Sequence, residues 1–240
     1  MRVKAFLLFS LAFAGSAFCD SFQTTFLAAG VETPLGITSH YETFDGIAPG
    51  ANNLPFTTTY NNSGFTGTYS GAIDWYAADV FGGASGKATY PETFSGYTVT
   101  INPSVNYFGL WFSALDAGNQ LSFYRDNTLL YTFTPADFIR LVGNCPGSGF
   151  CGNPNANFQG GDNGQQYAYL NFYDSNGTFN KIVFSETGGG GFESDNHAVG
   201  LLASAPGGTP VTTPEPATTA ALGMVLAAGG LIYRKKRAAV

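Results

Sequence analysis

Histidine is almost missing from this chain: His40 and His197 are the only two in 240 residues, and cysteine stops at three. Two distant histidines and one cysteine pair leave too few soft ligands for a zinc site. A serine hydrolase needs a nucleophile, a base and an orienting acid. No Gly-x-Ser-x-Gly elbow supplies the first, and the nearest run, Gly147-Ser148-Gly149, reads as flexible linker. Basic residues are scarce as well, and six of the ten lie at the two ends: Arg2, Lys4, Arg234, Lys235, Lys236 and Arg237. Residues 20–213 keep Lys87, Arg125, Arg140 and Lys181 against fifteen of the sixteen acids, a net charge of −11. Such a segment repels phosphate backbones, which excludes nucleic acid as a partner.

Lys, Glu, Leu and Met are also sparse in the middle of the chain, while Gly, Asn, Thr, Ser, Tyr and Phe abound. That mixture favours strands and turns over helices. Runs of strand length with approximate alternation occupy 97–101, 107–114, 120–125, 129–133, 167–172 and 181–185. Turn signals separate them, among them Asp116-Ala117-Gly118-Asn119 and Asp174-Ser175-Asn176-Gly177. Residues 120–133 read as a hairpin with Asp126-Asn127 in a two-residue turn. The expected helical turn begins with Thr134 as N-cap and Pro135 as first helical residue. No period of repeat length is present, which argues against a solenoid or propeller. The expected fold is all-β, an antiparallel sandwich or barrel of one domain.

The ends have a different chemistry. Residues 1–19 place Arg2 and Lys4 before a short charge-free stretch and then small residues, the pattern of a cleaved secretory signal peptide. Cleavage follows either Ala17 or Cys19; Phe18 sits where a lipidated cysteine would need a small neighbour. At the other end, Pro214-Glu215-Pro216 precedes 17 uncharged positions, 217–233, and then Arg234-Lys235-Lys236-Arg237. At about 1.5 Å per residue that stretch reaches roughly 25 Å as a helix, enough for a thin bilayer. The basic cluster holds its end on the cytoplasmic side. A plain C-terminal anchor has the same features.

The order of motif, apolar stretch and basic cluster resembles the PEP-CTERM sorting signal of exosortase-processed proteins. The resemblance implies that Pro214, Glu215 and Pro216 are recognised by an exosortase-like membrane enzyme, and that the protein passes to the cell surface or extracellular space. The span from Thr43-Phe44-Asp45-Gly46 to the strand ending in Ala198-Val199 loosely resembles the jelly-roll modules of such proteins; Phe192 lies one position further from Asp195 than their pattern asks. The expected organisation is a signal peptide at 1–19, a β-sandwich ectodomain at 20–202, a flexible spacer at 203–213 and the sorting tail with a single transmembrane helix at 214–240.

Within the domain, Cys145 and Cys151 form the expected disulfide of an exported protein, at the base of a long loop over 143–166. Calcium, a structural ion taking six to eight oxygens, is the expected cofactor. Its candidate ligands are Glu193, Asp195 and Asn196, with Asp45 or Glu42 brought in from the first strands, and Asp162-Asn163-Gly164 is a weaker site. Glu186 and Glu193 are possible members of a hydrolytic carboxylate pair, with Glu42 and Glu92 elsewhere in the chain. Trp75, Tyr76, Tyr107, Trp111, Tyr167 and Tyr169 are candidates for stacking on sugar rings, although alternation turns about half of any strand's aromatics inward. The expected function is a non-enzymatic surface or matrix protein associated with exopolysaccharide. A secreted carbohydrate-active hydrolase is the alternative. Ice binding is a minor one, since Thr57-Thr58-Thr59 and Thr98-Val99-Thr100 do not repeat at strand spacing.

Overall fold

A computed structural model describes residues 21–34, 40–84 and 89–211. The residues read as a signal peptide, the motif Pro214-Glu215-Pro216, the stretch read as a transmembrane helix and the basic cluster all lie outside the described residues. Twelve strands follow one another: β1 Phe22–Phe26, β2 His40–Glu42, β3 Phe56–Thr59, β4 Thr66–Ala77, β5 Thr89–Val105, β6 Tyr107–Leu115, β7 Gln120–Arg125, β8 Thr128–Phe133, β9 Gln166–Asp174, β10 Phe179–Ser185, β11 Glu193–Gly200 and β12 Thr209–Val211. Among the described residues one α-helix, α1 Pro135–Val142, lies between β8 and β9.

The strands form one connected antiparallel sheet in the order β12-β1-β9-β6-β11-β5-β10-β7-β8, with β2 added to β11 and the β3–β4 pair added to β5. The sheet curls until its two ends touch. Phe22 of β1 stacks on Tyr131 of β8 with centroids 4.9 Å apart, and the Thr24 and Tyr131 hydroxyls are 3.1 Å apart. Curling lets a period-2 pattern bury one face completely. Phe108, Leu110, Phe112, Phe123, Phe172, Ile182, Phe184, Phe192 and Val199 fill this inner core with rings in edge and stacked contacts.

Residues on the other face of β6 and β9 make a second, smaller cluster around Trp111, Tyr167 and Tyr169, joined by Leu27 and Ala84. Loops cover it. Asn153 donates to the carbonyls of Asp79 and Val80, and Asn155 to those of Gly83 and Ala84. The long loop read from the sequence is therefore pinned over this face by two asparagines as well as by the cysteine pair. The Cys145 and Cys151 sulfurs are 2.13 Å apart, and the Cα atoms 5.6 Å, the span of a disulfide.

The 120–133 hairpin forms as expected: Arg125 pairs with Thr128, so the loop is Asp126-Asn127, and Asp126 takes a φ of 55°. Helix α1 starts at Pro135 behind Thr134, but the threonine side chain makes no capping hydrogen bond. Within the segment expected as a spacer, Thr209–Val211 pairs with β1 as an edge strand and Val211 is buried. Val211 supplies the apolar contact that draws this segment into the sheet.

Candidate functional site

Register across four strands builds the most unusual feature of the outer face. Asp74 on β4 pairs with Glu92 on β5, Glu92 pairs with Glu193 on β11, and Glu193 pairs with Ser113 on β6. Directly paired residues point to the same side of a sheet, so three acids and a serine form one row. Asp74 is exposed, whereas Glu92 is 7% and Glu193 2% exposed. Burial pushes the Glu193 carboxyl well above the usual range, and the neighbouring Glu92 adds to the shift. Burial raises Glu92 as well, against the hydrogen bond it shares with Glu193. Neither carboxylate has a salt bridge to a basic side chain among the described residues.

The expected calcium ligands separate into two groups. Glu193 faces Glu92. Asp195, two residues on, accepts backbone N–H bonds from Ala84 at 2.8 Å and Asn196 at 2.6 Å, and its pKa is raised by burial with Asp45 and Glu32 contributing. The Asn196 amide donates to the Glu32 carbonyl at 2.8 Å from a backbone φ of 48°. Glu42 is occupied locally, accepting from the Phe44 N–H and the Thr58 hydroxyl. Asp162 accepts from the Tyr167 hydroxyl at 2.9 Å. Among the described residues no group of three or more His, Cys, Asp or Glu side chains is arranged to hold a metal.

Of the aromatics read as sugar platforms, Trp75, Tyr107, Trp111, Tyr167 and Tyr169 are buried: Trp75 in the inner core, Trp111, Tyr167 and Tyr169 in the second cluster, and Tyr107 in a third with Tyr173 and Ala198. Tyr76 differs. It is 38% exposed, backed by Tyr90 at 6.1 Å in a stacked arrangement, and borders a hollow of about 520 Å³. Pro49, Asn52, Ile73 and Asp74 complete that wall. A second hollow, about 260 Å³, lies between Ala29-Gly30 and the disulfide loop. Neither is lined by Glu92 or Glu193.

His197 has a structural role. It is fully buried, with Nδ1 3.1 Å from the Tyr69 hydroxyl and Nε2 3.0 Å from Ser194 Oγ. Tyr60 continues the chain at one end and Tyr97 at the other, at 3.0 and 3.1 Å. The ring stacks on Phe184 and meets Phe44 edge-on. Ser194 and His197 thus resemble two members of a triad, but they are sealed from substrate and the third partner is a phenol rather than a carboxylate.

The threonines also gain an order that their spacing conceals. Thr57, Thr68 and Thr100 pair across β3, β4 and β5, and Ser70 pairs with Thr98 in the next row. Thr57 and Thr68 hydroxyls are 3.1 Å apart on the exposed side.

Sequence reasoning placed Ser113 in a strand without naming it as a site residue, and gave Glu92 only as an acid lying elsewhere than the Glu186 and Glu193 candidates. Local sequence carries no signal for either, since strand register alone sets them beside Glu193. Among the described residues no helix is long and apolar enough to cross a membrane. Comparison with known proteins finds no matching family model, no matching curated protein and no matching solved structure.

Proposed function

We propose that this chain is an exported protein sorted to the cell surface or matrix by an exosortase-type enzyme, and that its β-domain binds exopolysaccharide without cleaving it. The sorting half rests on the tail: Pro214-Glu215-Pro216, the uncharged stretch and the basic cluster in order, behind an N-terminal signal pattern. The Cys145–Cys151 pair suits an oxidising compartment. A jelly-roll-like sandwich belongs to the same proposal, supported by a curled sheet whose ends meet over an aromatic core.

The observation that carries the binding half is the hollow beside Tyr76. An exposed ring held flat by Tyr90 offers its face to a pyranose, and Asn52 and Asp74 on the same wall offer hydrogen bonds to sugar hydroxyls. Cleavage is a poorer fit. Glycoside hydrolysis asks for carboxyl groups about 5 Å apart or more, flanking an accessible bond. Glu92 and Glu193 instead hydrogen-bond each other, are buried, and line neither hollow. The test is binding of the purified protein to a polysaccharide panel, with reducing-sugar release followed in parallel. Saturable binding that Tyr76→Ala abolishes, with no sugar released, supports the reading. Sugar release transfers the case to the hydrolase, and no binding removes the glycan claim.

One observation favours ice binding as the second reading: the Thr57–Thr68–Thr100 row, with strands about 4.8 Å apart, presents hydroxyls at regular intervals. Inhibition of ice recrystallisation that Thr68→Lys removes would support it.

A further inference from the structure

We propose that Glu92 and Glu193 are the carboxylate ligands of a calcium-class divalent cation, held with oxygens of Ser113 and Asn119 beneath the Gly190-Gly191 turn. The site differs from the one expected from sequence. Only Glu193 is shared, and Asp195, Asn196 and Asp45 belong to a separate corner of the face. It does not rest on the polysaccharide reading.

Unsatisfied oxygens carry the argument. Glu193 Oε2, Ser113 Oγ and Asn119 Oδ1 are each buried without a hydrogen-bond partner, and Ser113 and Asn119 are 0% exposed. Ser113 is the direct cross-strand partner of Glu193, so its hydroxyl is on the same side of the sheet. Asn119 donates its amide N–H to the Gly191 carbonyl at 3.1 Å, which sets its oxygen beside the same turn. A buried acceptor without a donor or a cation has lost its water and gained nothing in return. Three in one place, next to a second carboxylate, make a site rich in acceptors and poor in donors. A hard cation relieves that imbalance in a way that another side chain here does not.

The glycines shape the cover. A methyl on Gly191 would run into the carboxylate oxygens of both Glu193 and Glu92, and one on Gly190 into the Asp116 carboxylate. Gly191 also holds a φ of +96°, which other residues rarely adopt. The turn therefore closes directly over three carboxylates, with Asp74 exposed at the rim to attract a cation. The donor set is carboxylate, hydroxyl and amide oxygen, the mixture calcium accepts at 6–8 coordination, with water and backbone completing the shell. The nitrogen and sulfur ligands that zinc prefers are engaged elsewhere: His197 bonds Tyr69 and Ser194, and Cys145 bonds Cys151.

The test strips the purified protein with chelator and titrates it with calcium, reading calorimetric binding and Tm. A saturable calcium-dependent rise in Tm is expected, smaller with magnesium. Glu193→Gln and Glu92→Gln should abolish the rise, and Asp45→Asn should leave it intact. If the glutamine variants fail to fold, Ser113→Ala removes only a hydroxyl and should weaken calcium affinity. No rise in Tm at about 10 mM calcium, above the roughly millimolar range of extracellular modules, overturns the proposal and leaves a pair that shares a proton. An unchanged rise in Glu193→Gln overturns it too.

Discussion

His197 offers a prediction whose size follows from its surroundings. Its ring lies between Phe184, Phe44 and Phe108, both nitrogens are engaged, and burial lowers its pKa from 6.5 to about 3. The folded protein therefore keeps it neutral at any pH above that value, while the unfolded chain takes up a proton near pH 6.5. Stability tied to this group is complete above 6.5 and is lost as pH falls toward 3, at about 1.4 kcal/mol per pH unit. At pH 5 the loss is about 2 kcal/mol.

Replacing the ring by His197→Phe fills the same aromatic site and removes the titration. It also leaves the Tyr69 and Ser194 hydroxyls each short of a partner, a cost of about 1–3 kcal/mol that does not depend on pH. Urea unfolding of both proteins at pH 7.5 and pH 5 isolates the histidine, because contributions from Glu193, Asp195 and other acids cancel in the difference. The wild type should lead at pH 7.5, and its lead should shrink by about 2 kcal/mol at pH 5. A lead that stays constant would refute the reasoning, since it would mean that His197 titrates normally in the folded state.

Reducing the Cys145–Cys151 bridge, which spans a sequence separation of 6, should cost about 2 kcal/mol of chain entropy. For a domain of this size that lowers Tm by about 4–8 °C in a melt with and without reductant. Gly109→Ala should destabilise by about 2 kcal/mol or more, because its methyl would overlap the Tyr107 and Tyr169 hydroxyls in a fully buried strand; denaturant unfolding measures it. Phe184→Ala removes a ring stacked on Tyr97 at 4.1 Å and tilted against Phe192 at 5.0 Å, and should cost about 3–5 kcal/mol in the same assay. Tyr76→Ala, at an exposed position, should leave Tm within about 1 °C while removing sugar binding.

Some strands were legible because their pattern is local. Lys181–Ser185 alternates, Gln120–Arg125 alternates, and Asp126-Asn127 marks the turn, so the hairpin and its neighbours appear where the residues place them. β5 was legible only over 97–101. Pro91, Gly96 and Pro103 interrupt it, and the sheet accommodates them with register shifts opposite Ala72/Asp74 and Phe179/Lys181. β4 escaped notice because Gly67, Ser70 and Gly71 dilute its alternation. The buried aromatics were legible as aromatics, but which of them turned inward depended on the curl of the sheet.

Composition and periodicity alone determined that the domain is antiparallel β, where its clearest hairpin turns, and that Cys145 and Cys151 are near enough in the chain to pair. These are short-range matters, settled by residues within a few positions of each other. Only the tertiary structure decided that Glu193 meets Glu92 and Ser113 rather than Asp195 and Asp45, that His197 is a sealed core residue, and that Tyr76 alone of the proposed platform rings is exposed. Each of those outcomes is set by strand register and by the closure of the sheet. A one-residue shift in register would send every one of these side chains to the opposite face.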